Sequence, residues 1–283
     1  MFKIDKKHRL MQNGKLVRRI MSPAAHTNGK FASTPSTTVM HFTFGATASS
    51  SAEWFRDPNN KFKSSAHIVI GRDGEVIQCV DFDTGANHAG KSTWKGRPGL
   101  NTWAFGIELA NWGYLQKKGG TWWSWTGKTE VASPVLAKHK NGNPNGTAGL
   151  IGWEPYPDVQ IETAAAIVRV LIDTYGRQEL VGHDDISVGR KWDPGPAFDF
   201  DSFRMMTTED LSDNTDNFVF SNTPGDTLNL RQGPGMHFDV ITALKDGTQL
   251  MILERDGNWL MVNVYNATGK VVRTGWVYAK FVV

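Results

Sequence analysis

Two places in the sequence carry side chains that could together hold a metal ion. His41 lies near the end of the β-branched and aromatic run Thr37-Thr38-Val39-Met40-His41-Phe42-Thr43-Phe44. Much later, Gly182-His183-Asp184-Asp185 is followed by Gly189-Arg190-Lys191-Trp192-Asp193-Pro194-Gly195-Pro196. A zinc hydrolase needs three protein ligands and an open fourth position for water, and two histidines with one carboxylate meet that requirement. Either histidine taken alone reads as an ordinary hydrogen-bonded or surface residue, since histidine is intermediate in burial. The single cysteine, Cys79, excludes an intramolecular disulfide and a four-thiolate site, so any metal must be held by His and carboxylates.

Bringing these groups together requires a folded framework, and the composition allows one. The chain has 283 residues, a formal charge of +3, 40% hydrophobic and 21% charged residues, as an ordinary globular protein has. Nowhere do apolar residues run long enough for a membrane-spanning helix. The run 37–44 reads as a strand, and Ser49-Ser50-Ser51-Ala52-Glu53-Trp54-Phe55 as a capped helix start. His67–Ile70 and Glu75–Val80 flank Arg72-Asp73-Gly74, a hairpin signal, and Phe105–Ala110 is a further strand candidate around the carboxylate of Glu108. Apolar positions from Ile161 to Tyr175 recur at helical spacing, with Asp158 as the expected cap and Gly176 as the stop. Residues 113–157, rich in Gly, Asn, Pro and Trp without a clear period, read as long surface loops.

Residues 1–206 carry a net charge of +6 and residues 207–283 one of −3, which points to two units. The acidic stretch 207–222 suits a linker. Beyond it, over 223–283, the period changes to two: Leu228–Arg231, Leu250–Leu253, Trp259–Val264 and Gly275–Val277 read as short strands of a small β-barrel. The N-terminus has seven cations among nineteen residues but a single aromatic, so it offers no base-stacking platform for nucleic acid. It also lacks the apolar core of a secretory signal, so the expectation is synthesis in the cytoplasm, and work outside it would need some other means of release.

Taken together, His41-Phe42-Thr43, Trp54-Phe55, Ser65-Ala66-His67, Asn87-His88-Ala89-Gly90, Ile107-Glu108-Leu109 and Gly182-His183 with Gly189–Pro196 resemble the zinc-dependent N-acetylmuramoyl-L-alanine amidases of the type 2 family. The resemblance covers about residues 35–205. It implies an α/β fold with a mixed central sheet flanked by helices, shared with peptidoglycan recognition proteins, and Zn2+ held by His41, His183 and Asp193. It also implies Glu108 as the acid/base carboxylate, Lys191 as the cation that stabilises the oxyanion, and His88, His67 and Trp94 as substrate contacts, with a buried core or supporting histidine standing as an equal reading for His67 and a non-contact role for His88. Asp184 and Asp185 follow a ligand, so either could orient it, with a solvated turn as the leading expectation. The insertion 113–157, with Trp122, Trp123, Trp125 and Trp153, departs from the family. The tail block Leu228–Gly235 with Gly257–Leu260 and Thr274–Val277 resembles a bacterial SH3 domain, which implies a wall-binding module. The implied activity is cleavage of the bond between N-acetylmuramic acid and L-alanine in peptidoglycan or muropeptides. A phage or prophage lysin is the leading expectation, with a wall-remodelling or muropeptide-recycling amidase, or a non-catalytic wall-binding protein, as the alternatives.

Overall fold

The computed structural model describes residues 1–208, 218–266 and 271–283. The chain divides into two compact units, Met1–Thr208 and Glu209–Val283. Most of the expected linker, residues 209–217, lies outside the described residues.

The first unit is built on a six-stranded mixed sheet. Its strands in chain order are β1 (Arg18–Arg19), β2 (Thr37–Phe42), β3 (Ile68–Ile70), β4 (Val76–Gln78), β5 (Phe105–Leu109) and β6 (Glu179–Gly182). Their order in space is β6-β2-β5-β3-β4-β1. β6, β2, β5 and β3 run parallel, β4 turns back antiparallel to β3, and β1 adds parallel to β4. Every residue of β2 and β5 is buried, the signature of parallel strands covered on both faces.

The helices are α1 (Ala48–Arg56), α2 (Asp158–Tyr175), the short α3 (His183–Ile186) and α4 (Phe200–Thr208). The α2 stripe Ala164, Ala165, Val168 and Leu171 packs on Met40, Ile70, Ile107 and Leu109. On the opposite face, Ala48, Ala52 and Phe55 of α1 pack on Val69 and Ile77 of β3 and β4. Because α1 covers the β3 and β4 side of that face, the adjoining part over β2 and β5 is left for other groups. Thr47 caps α1 by accepting from the Ser50 amide at 3.1 Å. Gly176 ends α2 at φ 85, while Pro157 rather than Asp158 occupies the cap position and Asp158 sits in the first turn.

Two segments are more ordered than the sequence suggests. The N-terminus forms a three-stranded sheet over residues 2–16, buries Leu10 and Val17 in the main core and supplies β1. Its cations are used locally: Arg9 pairs with Asp5, Arg18 with Glu75 and Arg19 with Asp81. The insertion, expected as loops, contains two hairpins, Gln116–Lys118 with Thr121–Trp123 and Val135–Ala137 with Ile151–Trp153. Its aromatics divide: Trp153 is 1% exposed and packs with Phe42, Phe44, Tyr114 and Trp122, whereas Trp125 is exposed. The missing period has a simple cause, since strands of three residues are too short to display one. At the other boundary, α4 runs to Thr208, so the expected limit at residue 206 falls inside its last turn.

The second unit is a six-stranded antiparallel sheet of Phe218–Phe220, Thr227–Arg231, Val240–Lys245, Gln249–Asp256, Trp259–Tyr265 and Val271–Tyr278. Alternate residues Leu228, Leu230, Leu260, Val262 and Val264 face one core with Leu244, Leu250 and Val277, as the period of two requires.

Candidate metal centre and active site

The parallel register sets the site. His41 on β2 lies directly beside Glu108 on β5, and Gly182, the last residue of β6, lies beside Met40. His183 therefore follows at the carboxyl end of β6, next to His41, and all three groups gather where the parallel strands end. Open parallel sheets place ligands at this edge. Asp193 returns from the segment after α3, where the Asp184 amide donates to the Asp193 carbonyl at 2.9 Å.

His41, His183 and Asp193 are all buried and form the group of side chains suited to a metal ion. His41 Nδ1 lies 3.0 Å from His183 Nδ1, and each Nδ1 lies 2.9 Å from Asp193 Oδ2. The outer ring nitrogens show why this cluster suits a cation. His88 Nε2 donates to the Ala104 carbonyl at 3.2 Å, which leaves the neutral His88 ring with a bare Nδ1. That atom accepts from His41 Nε2 at 2.9 Å, so His41 Nδ1 carries a lone pair. His183 Nε2 donates to the Ala89 carbonyl at 3.0 Å, which likewise leaves a lone pair on Nδ1 of the neutral ring.

Three lone pairs, two from nitrogen and one from a carboxylate, therefore converge with no proton assigned between them. Ligand atoms of tetrahedral zinc at ~2.0–2.1 Å lie about 3.3 Å apart, within a few tenths of an ångström of this triangle. The donor set fits Zn2+.

Electrostatics agree with this arrangement. Burial, followed by the neighbouring His183, pushes the His41 imidazole down to about 4, so it stays neutral and ready to coordinate. Burial also holds His88 well below its ordinary value. Glu108 is 9% exposed, and burial together with the Asp193 charge pushes it up to about 8, with Lys191 acting in the opposite sense. Among the described residues its Oε2 has no hydrogen-bond partner. Lys191 is half-buried two residues before Asp193, and its charge acts on both His41 and Glu108.

The expected substrate contacts are placed differently. His88 is 7% exposed and sits behind His41 rather than at the surface of a groove. Its ring rests on Gly106, where an added Cβ would come within 2.4 Å of His88 Cγ. His67 is fully buried; it donates to the Thr84 carbonyl at 2.9 Å, accepts from the Gly106 amide at 3.0 Å and stacks near Phe31 and Phe82. It is a core residue, because the hairpin strand it precedes lies inside the sheet. Trp94 is half-buried on a small hairpin, where it packs with Val39, Ala89, Leu100, Val181 and Ile186 beneath the Lys95 ammonium. Asp184, expected in solvent, is 3% exposed.

Sequence reasoning missed the outer partners of the ligands. The carbonyls of Ala89 and Ala104 orient the rings, and Arg190 Nη2 also donates to the Ala89 carbonyl at 2.9 Å. Backbone carbonyls leave no residue-type signal, although Gly106 inside an otherwise apolar strand hinted at a close approach.

The sequence profile of the N-acetylmuramoyl-L-alanine amidase family matches residues 31–196, and that of the bacterial SH3 domain matches residues 226–283. The chain is 35% identical over 150 residues to the 1,6-anhydro-N-acetylmuramyl-L-alanine amidase AmpD of Escherichia coli (strain K12), covering 52% of this chain and 61% of that relative. It is 28% identical over 125 residues to the N-acetylmuramoyl-L-alanine amidase AmiD of the same organism, covering 44% of this chain and 34% of AmiD. Among solved structures, a selenomethionine derivative of AmpD superposes with a TM-score of 0.48 at 28% identity, over 68% of this chain and 94% of that one. The chain thus belongs to the N-acetylmuramoyl-L-alanine amidase family and carries a bacterial SH3 domain after the amidase region.

Proposed function

We propose that this chain hydrolyses the amide between N-acetylmuramic acid and L-alanine in muropeptides, with His41, His183 and Asp193 as zinc ligands and Glu108 and Lys191 as the catalytic pair. The observation that carries the reading is the convergence of three lone-pair donors beside a buried carboxyl group at the ends of adjoining parallel strands. Zinc held there supplies Lewis acidity for the amide carbonyl and lowers the pKa of a bound water to about 7.

The chain's own residues do the rest. Glu108 takes the proton of the attacking water on a carboxylate oxygen and delivers it to the nitrogen of the departing L-alanine. Its burial keeps it poised for both halves of that transfer, since a carboxyl at its ordinary value of 4.5 would be a weak base. With Zn2+ bound, the Glu108 carboxyl would shift back toward its ionised form, in which it could accept a proton. The Lys191 ammonium offsets the negative charge that develops on the carbonyl oxygen. His88 and the Ala89 carbonyl hold the two imidazoles in the tautomer that presents Nδ1.

The AmpD relatives are named for 1,6-anhydro-N-acetylmuramyl-L-alanine, and this supports soluble anhydromuropeptides as substrates and recycling as the role, in place of the lysin expectation. The bacterial SH3 domain supports a second reading, action on wall polymer. Incubating the purified chain with an anhydromuropeptide and, separately, with sacculi, then weighing the products by mass spectrometry, tests both. Release of peptides that begin with L-alanine is expected, faster from the soluble substrate. Cleavage at any other bond overturns the assignment, and faster release from sacculi selects the wall-directed reading.

A further inference from the structure

The segment that supplies two of the three ligands has little regular structure to hold it. After β6 ends at Gly182, the backbone passes through the four residues of α3 and a series of turns before it reaches Asp193. No strand supports that path, yet His183 and Asp193 must meet within 2.9 Å.

Ser187 and Arg190 tie it to the Ala89 and Lys91 carbonyls, and the insertion adds a second set of contacts on the residues next to the ligands. The loop between its second pair of strands, residues 138–150, reaches the ligand segment at several points. His139 Nδ1 accepts from the Asn141 amide at 3.0 Å, so in the neutral ring the proton is on Nε2, which donates to Asp184 Oδ2 at 3.0 Å. Both residues are buried, His139 at 2% exposure and Asp184 at 3%. The Lys140 ammonium lies 3.1 Å from Asp184 Oδ1 and 2.5 Å from Asp185 Oδ1. Asn141 Nδ2 donates to the Asp184 carbonyl at 2.8 Å, and Trp192 Nε1 donates to the Gly142 carbonyl at 3.0 Å. Asn143 keeps the loop in shape by accepting from the His139 amide and donating to the Thr147 and Gly149 carbonyls. Gly182 completes the fit, because a Cβ there would lie 2.2 Å from Asp184 Oδ1.

We propose that loop 139–143 of the insertion is a brace for the metal centre, in which His139 is a positioning residue that holds Asp184, and through it the adjacent His183 and the Asp193 carbonyl, in the ligand geometry. The contacts grip both neighbours of the ligands: Asp184 follows His183, and Trp192 precedes Asp193. The buried Asp184 carboxylate also becomes tolerable, since the Lys140 ammonium and the His139 N–H meet its charge, while the half-exposed Asp185 accepts from the Gly182 amide at 2.8 Å. The inference rests on the zinc-ligand reading above, but its test reads zinc affinity and folding rather than turnover alone.

The experiment uses the full chain with His139→Leu, His139→Gln and the pair His139→Leu/Asp184→Leu. Zinc affinity is measured by competition with a chromophoric chelator, alongside the thermal midpoint of the zinc-free protein. His139→Leu takes away the donor to Oδ2 of the buried Asp184 carboxylate and leaves it only the Lys140 ammonium at Oδ1, so both the midpoint and the affinity should fall, the latter by about 10–100-fold, the usual cost of losing a residue that supports a ligand. The Leu/Leu pair removes both polar partners and should regain most of the midpoint while zinc stays weakly bound. His139→Gln retains an N–H donor for Asp184 and should recover affinity. Unchanged affinity in His139→Leu, or affinity that returns with the midpoint in the Leu/Leu pair, overturns the brace. Absence of zinc binding by the unaltered chain would instead overturn the ligand reading.

Discussion

Gly106→Ala is a small change that should reach the metal through His88. The added methyl carbon would lie 2.4 Å from His88 Cγ, 2.7 Å from Nδ1 and 2.8 Å from Cδ2. Carbon atoms in contact sit about 3.5–4.0 Å apart, so the imidazole must retreat by roughly 1 Å. Its bonds to His41 Nε2 at 2.9 Å and to the Ala104 carbonyl at 3.2 Å cannot both survive such a move. Two effects follow. Overpacking at a buried strand should cost about 1–3 kcal/mol of stability. Loss of the group that fixes the His41 tautomer should weaken zinc binding by about 10–100-fold, or roughly 1.4–2.7 kcal/mol.

A double-mutant cycle separates the route from the size of the effect. In a His88→Ala background the methyl has space, so Gly106→Ala should change zinc affinity by less than about twofold there. The assay is competition with a chromophoric chelator on all four proteins, with the thermal midpoint of each zinc-free form as the control for folding. Equal losses from Gly106→Ala in both backgrounds would show that the glycine does not act through His88. Unchanged affinity in both single variants would remove His88 from the support of the metal.

Glu108→Gln keeps size but cannot take a proton, so zinc content should hold while kcat on a soluble muropeptide falls about 10²-fold or more; an unaltered rate removes Glu108 from the mechanism. Chelation of zinc should abolish hydrolysis and lower the thermal midpoint, and added zinc should restore both except in His41→Ala, as calorimetry and activity on one sample can check. His67 supplies a pH test on the zinc-free protein, because burial holds it down to about 4 in the fold against 6.5 when unfolded. The unfolded chain therefore gains its proton first, and stability present above pH 6.5 is lost as pH falls toward 4, by on the order of 3 kcal/mol from this residue. Urea midpoints across that window should slope less steeply in His67→Gln, and identical slopes would refute the assignment. Residues 1–208 alone should fold and bind zinc, keep activity on soluble muropeptides and bind sacculi less than the full chain does; equal binding in a pull-down would show that the SH3 domain is not the anchor.

The sequence by itself determined what depends on residue type and local period. The strand over 37–42, the helix ending at Gly176 and the alternating strands of the second unit follow from patterns that single segments carry. Histidine and carboxylate donors are visible by type, but with eight histidines and 28 acidic residues in the chain it was the resemblance to the amidase family, not type or spacing, that picked out His41, His183 and Asp193. What the sequence could not state was which residue stands beside which. Parallel register put Glu108 next to His41, and only packing decided, between substrate contact and supporting histidine, that His88 and His67 lie in the layers behind the ligands.

The insertion shows the limit most clearly. Its three-residue strands are too short to display a period, and its contacts with Asp184 and Trp192 join residues more than forty positions apart. A buried carboxylate such as Asp184 cannot be told from a solvated one by its own neighbours in sequence, because its burial is decided by a loop that folds over it from elsewhere. The backbone carbonyls of Ala89 and Ala104, which fix the imidazole tautomers, belong to every residue alike, so tertiary structure alone selects the two that matter.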